Sequence, residues 1–110
     1  MKVVCLVPHD VVVYDDDGVV INTYQSQGVA RAGQTNTIVG CLDGTPVIKA
    51  EFGEVTGLPE PTEGTVFIVS IITANAARTY GRTTDDLLVT SGPVRDDKGR
   101  TIGCRALARI

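Results

Sequence analysis

Short apolar runs alternate with turn-forming residues along most of the chain, which is the pattern of a β-rich fold. The runs at residues 3–7 and 66–69 are continuous, so we expect two buried strands, the first of them central in a sheet and covered on both faces. Other runs flank turns that contain Asp and Gly, and each such pair predicts a hairpin. These pairs are residues 11–14 with 19–24, residues 37–42 with 46–52, and residues 93–95 with 100–110.

The apolar period changes after Ser70, where the spacing predicts one short helix with Ser70 as its N-cap and Gly81 near its end. The last strand alternates strictly, so Arg105 and Arg109 share one face. Residues 25–33 read as a loop or bent edge strand, and residues 87–89 as a short strand. Residues 57–64 hold two prolines and two glycines and are expected to form a surface connection.

Composition supports this class, because Val, Ile and Thr fill about a third of the 110 residues. We predict a single α+β domain over residues 1–110 that is mainly β, with a curled antiparallel sheet or partial barrel and one short helix. No apolar run approaches the roughly 20 residues that span a bilayer, and the N-terminus lacks a signal-peptide core. Three cysteines without a CxxC pair indicate a reducing compartment, so we expect a cytoplasmic protein without a membrane partner.

Charge is divided unequally along the chain. Residues 1–77 carry a net charge of −6, and residues 78–110 carry +3 with six arginines. An isoelectric point near 4.9 argues against general nucleic-acid binding. A local arginine site for one small anion fits the second segment, because the guanidinium group binds phosphate bidentately. The same arginines could equally form a solvated face or an oligomer interface.

Familiar catalytic and metal-binding motifs are absent from the sequence. His9 is the default general base if the protein is an enzyme, although it could simply shape the turn after Pro8. Cys5 and Cys104 lie in apolar strand patterns and are expected to be core residues rather than partners of His9. The acidic run before Gly18 suits a hairpin turn better than a calcium loop. We therefore predict no catalytic residues, no metal ligands and no cofactor.

The segment that follows the predicted helix contains the most side chains that can bind a ligand. Tyr80 can stack on a planar ring, Arg78 or Arg82 can hold a phosphate, and Asp85 can accept from ribose hydroxyls. The candidate ligand site adds residues from outside this segment: Arg95, Arg105 and His9. The competing interpretation is a loop satisfied by its own Arg–Asp pairs.

Three segments carry a resemblance to known sequences: Pro8-His9 after the first strand, residues 52–61 leading into residues 66–70, and residues 86–89 followed by residues 93–96 and 103–109. Together they resemble a group of small hypothetical proteins encoded in bacteriophage genomes and bacterial chromosomes. Members often have Asn-Leu-Thr before the Pro-His pair, where this chain has Cys5-Leu6-Val7. The resemblance implies a phage or prophage accessory protein in the host cytoplasm, with an anti-defence role such as sequestering a nucleotide-derived immune signal.

Three functions stay open on the sequence. The first is binding of a small phosphorylated ligand by a homo-oligomer, which the mean hydropathy of +0.13 in so short a chain favours. The second is a protein–protein interaction or structural module without a small ligand. The third is a small hydrolase or lyase that uses His9 with an acid such as Glu54.

Overall fold

A computed structural model describes residues 1–110. Eight strands and one helix form two sheets in a mainly β domain, which confirms the predicted class. The elements are β1 (Lys2–Cys5), β2 (Val11–Tyr14), β3 (Val20–Tyr24), β4 (Arg31–Leu42), β5 (Thr45–Thr56), β6 (Thr65–Ile68), α1 (Ile71–Thr79), β7 (Leu87–Arg95) and β8 (Thr101–Arg109).

The larger sheet has six strands in the order β1-β6-β7-β8-β2-β3. It is curled, as predicted, but it mixes parallel and antiparallel pairs instead of being wholly antiparallel, and it does not close into a barrel. The parallel pair β6–β7 follows from the connection through α1, because a crossover connection returns the chain in the same direction. One bridge between Cys5 and Ser26 joins the two ends of the curl.

The prediction of a central first strand was wrong. β1 is a four-residue strand at one end of the sheet, and it pairs along its length only with β6. The apolar run continues into Leu6 and Val7, which are buried but lie beyond the strand. The apolar run extends past the end of β1 because the chain stays in the core there.

The core lies on both faces of the larger sheet. One cluster fills the space between the sheet and α1 and consists of Leu6, Ala30, Phe67, Val69, Ala74, Ala77 and Leu87. The other fills the concave side of the curl and consists of Cys5, Val7, Val11, Val13, Ile68 and Cys104. Phe67 and Ile68 are neighbours in β6 that enter opposite clusters, so β6 is the strand that both cores share.

Two hairpins form at the predicted acidic turns. Asp15 caps the first turn by accepting hydrogen bonds of 2.9 Å from the amides of Asp17 and Val19. Asp96 does the same for the amides of Lys98 and Arg100, also at 2.9 Å. The predicted strand at residues 87–89 is not separate but continues into β7, since β8 pairs with it from Leu88 to Arg95.

The predicted helix is confirmed, with its N-terminus fixed by Ser70. The Ser70 hydroxyl accepts a 3.2 Å hydrogen bond from the Thr73 amide, and the buried Thr73 hydroxyl donates to the Ala30 carbonyl oxygen at 3.2 Å. The second bond anchors the helix to the start of β4. α1, the one helix of the fold, has nine residues and is not a candidate for a membrane-spanning helix.

The remaining predicted hairpin is longer than the sequence indicated. β4 and β5 have twelve residues each and form a separate two-stranded sheet around the Asp43-Gly44 turn, where both residues have positive φ (50° and 77°). Most of this hairpin projects from the body, and the radius of gyration is 16.2 Å. A compact chain of this length would have a radius of gyration of about 13 Å.

Close contact between β2 and β8 requires a glycine at position 103, and this predicts a specific stability loss. A Cβ added there would lie 2.5 Å from both the Val12 carbonyl oxygen and the Tyr14 ring. We expect Gly103→Ala to lower the free energy of unfolding by about 1–3 kcal/mol. The control is Gly40→Ala, where a Cβ meets nothing within 4 Å, and its cost should be below about 0.5 kcal/mol. Equal costs in urea denaturation would contradict the proposed contact.

Candidate functional site

Arg82 is held by the protein itself and has little capacity left for a ligand. Its Nη1 and Nη2 atoms bind the two carboxylate oxygens of Asp86 at 2.8 and 3.0 Å. The same two nitrogens also donate to the carbonyl oxygens of Thr83 and Pro59 at 2.8 and 2.9 Å. The ion pair is mostly buried, with 16% and 13% of the two side chains exposed. Arg82 therefore clamps the 57–64 connection against the start of β7.

Tyr80 and Arg82 do line one cavity, of about 380 Å³, beside the end of α1. Its other charged residues are Glu54 and Glu60. The Tyr80 hydroxyl donates a 3.1 Å hydrogen bond to the Phe52 carbonyl oxygen, which ties the helix end to β5. Two carboxylates beside a guanidinium that already has a partner make this cavity poorly suited to a phosphate.

The other predicted ligand residues lie in separate places. Arg95 donates to the Gly99 carbonyl oxygen at 3.1 Å, and Arg105 donates to the Asp15 carbonyl oxygen at 2.7 Å. Asp85 contacts an arginine only with its backbone carbonyl oxygen, which accepts a hydrogen bond from Arg109. Arg78 is exposed at the end of the helix. Each arginine of β7 and β8 thus contacts a turn or loop of the same chain, and the structure does not bring the predicted set into one pocket.

His9 lines a different cavity, of about 370 Å³, between the starts of β2 and β8. The imidazole is exposed, and its Nδ1 lies 3.0 Å from the Asp10 carbonyl oxygen, which fits the tautomer with hydrogen on Nδ1. Glu54 lines the Tyr80 cavity and not this one. The pairing of His9 with Glu54 for acid–base chemistry is therefore not formed.

The cysteines near His9 behave as core residues, as their strand pattern predicted. Cys5 and Cys104 are buried, and the Cys5 thiol points at the His9 carbonyl oxygen at 3.7 Å rather than at the imidazole. Burial raises the pKa of the Cys104 thiol, against smaller opposing effects from backbone hydrogen bonds. Cys104 therefore stays protonated and weakly nucleophilic at neutral pH.

The most distinctive surface is one that the sequence analysis did not select. We call residues 34–52, the projecting part of the β4–β5 hairpin, the arm. Register pairs Ile38 with Ile48 and Cys41 with Pro46, and paired residues share a face of the sheet. Alternation along the two strands, shifted by one position at a β-bulge at Val39, then gives one face, the apolar face, that contains no charged residue. Its members are Gln34, Asn36, Ile38, Cys41, Pro46, Ile48, Ala50 and Phe52.

The opposite face of the arm, the charged face, holds both charged residues that lie in the strands of the arm. Lys49 and Glu51 belong to it, together with Thr35, Thr37, Gly40, Leu42, Thr45 and Val47. The alternation of Val47 and Lys49 against Ile48 and Ala50 was visible in the sequence. What the sequence did not show is that both faces are open to solvent. Every residue from 34 to 51 is exposed, with Ile38 at 69% and Ile48 at 54%, and only Phe52 at the base of the arm is half-buried.

Comparison of the chain with protein-family models, with curated proteins and with solved structures gives no match. The resemblance to small phage and bacterial proteins therefore stays an expectation.

The buried Arg82–Asp86 pair predicts a large stability effect. Arg82→Ala leaves the Asp86 carboxylate mostly buried without its partner, so the free energy of unfolding should fall by about 2–4 kcal/mol. Arg82→Lys should restore only part of this loss, because an ammonium cannot form the paired contact.

Arg100→Ala is the matched control, since Arg100 also pairs with an aspartate four residues away but is 73% exposed. Its cost should stay below about 1 kcal/mol. Equal losses for the two alanine variants in thermal or urea denaturation would show that Arg82 is not a structural clamp.

Proposed function

We propose that this protein is a non-enzymatic interaction module that binds another protein surface through the apolar face of its arm. The observation that carries the proposal is the separation of the two faces, with Lys49 and Glu51 on one and Ile38 and Ile48 exposed on the other. Exposed, uncharged apolar patches on a folded chain commonly mark interaction sites.

Packing of the core does not explain why the arm projects from the body. It contributes no residue to either buried core cluster, whose members lie in the larger sheet, in α1 and in the segments beside them. An isolated two-stranded hairpin is at best marginally stable in water. A partner that covers the apolar face would supply the missing layer, which is how sheets in folded proteins are normally stabilised.

Binding of a small phosphorylated ligand has less support in the geometry. Arg82, Arg95 and Arg105 already contact groups of the same chain, and two glutamates line the cavity beside Tyr80. That function, and the phage anti-defence role with it, stays a prediction from the sequence. The hydrolase has less support still, because His9 and Glu54 line separate cavities.

A capture experiment with matched variants tests the proposal. Tagged wild-type protein, Ile48→Lys and Val47→Lys are each incubated with lysate of the cells that naturally make the protein, supplemented with purified untagged chain. We expect wild type and Val47→Lys to capture the same protein. Mass spectrometry identifies this protein, and it should bind both baits again after it has been purified. Its recovery on Ile48→Lys should fall at least about tenfold, because a charge in a buried interface is costly.

Val47 is the control because it is the neighbour of Ile48 in β5 and points to the charged face. The same captured proteins in equal amounts on all three baits would refute an arm-based interaction.

A further inference from the structure

We propose that the occupant of the apolar face is the same face of a second copy of this chain, so that two arms stack into a two-fold symmetric dimer. This inference rests on the interaction role proposed above and adds the identity of the partner. Surface area, the placement of the isoleucines and the distribution of charge each support it.

The chain exposes more surface than a compact monomer of its size. Its accessible surface is 7137 Å², whereas a monomer of 11.6 kDa is expected to expose about 5,800 Å². The excess of roughly 1,300 Å² is larger than the approximately 800 Å² that each partner buries in a standard stable interface. The surplus exposed surface of one copy, which includes both faces of the arm, therefore exceeds one side of a standard interface.

The arrangement of the isoleucines suits stacking of identical faces. Ile38 and Ile48 are directly opposite each other across the arm and form its widest apolar band. A two-fold axis near this pair would bring four isoleucines into one layer, with the two sheets about 10 Å apart. Cys41 and Pro46 extend the band toward the turn, and Ala50 extends it toward the body.

Charge favours this contact over a contact at the exposed apolar residues of β3. Stacked apolar faces bury no charged residue and leave Lys49 and Glu51 on the outer, solvated faces. Those residues, Val20 and Ile21, adjoin the acidic turn with Asp16 and Asp17. Pairing two copies at β3 would bring like charges together, whereas stacking two arms does not.

Sedimentation velocity of the purified, untagged protein over a concentration series tests the dimer directly. Wild type should sediment as a dimer with a measurable dissociation constant. Ile48→Lys should raise that constant at least about 100-fold, since each dimer receives two buried charges. Val47→Lys should change it less than about fivefold. Ile38→Lys provides a second variant on the same face, and circular dichroism checks that each variant is folded.

The outcomes separate this inference from the proposed function. Wild type that stays monomeric at every concentration overturns the dimer, while a captured partner lost with Ile48→Lys would still uphold the interaction role. A dimer that survives both Ile48→Lys and Ile38→Lys overturns the assignment of the contact to the apolar face. A dimer lost in both variants and kept in Val47→Lys confirms it.

Discussion

Burial of β6 on both faces is the constraint from which the rest of the structure follows. Phe67 packs toward α1 and Ile68 packs into the concave side of the curl, so both sides of this short strand must be covered. β1 and β7 pair with its two edges, and α1 and the β2–β8 side of the curl cover its two faces. These elements use nearly all of the buried side chains, and none is left to cover the arm.

The charged residues follow the same division between body and arm. In the body, Arg82, Arg105 and Arg109 hold turns and connections against the sheet through carbonyl and carboxylate oxygens. In the arm, the charges of the strands lie on one face and the isoleucines on the other. Arg82, Arg105 and Arg109 therefore have partners within the body, whereas the arm leaves the isoleucines of its apolar face exposed. An interaction role fits this molecule better than a small-ligand pocket does.

Local signals in the sequence predicted most elements, because each depends on neighbouring residues. Asp15 and Asp96 cap their own turns, and Ser70 caps its own helix, so their roles are set within a few positions. The strand order and the edge position of β1 depend on contacts between distant residues, and a pattern of apolar runs does not contain them. The residues of the predicted ligand site do not lie together, for the same reason. Arg82, for example, donates a hydrogen bond to the carbonyl oxygen of Pro59, which is 23 positions away. The alternation in β5 was visible in the sequence, but the β-bulge that brings Cys41 onto the apolar face, and the exposure of that face, depend on how the strands pair and where the core ends.

The most direct test of the account is the reactivity of Cys41 toward a small thiol reagent. Cys41 lies on the apolar face and is exposed, whereas Cys5 and Cys104 are buried, so the fast reaction reports Cys41 alone. The account predicts that its rate in wild type falls as protein concentration rises through the micromolar range, and that it stays high in Ile48→Lys. A rate that is independent of concentration and equal in the two proteins would contradict the stacked-arm dimer.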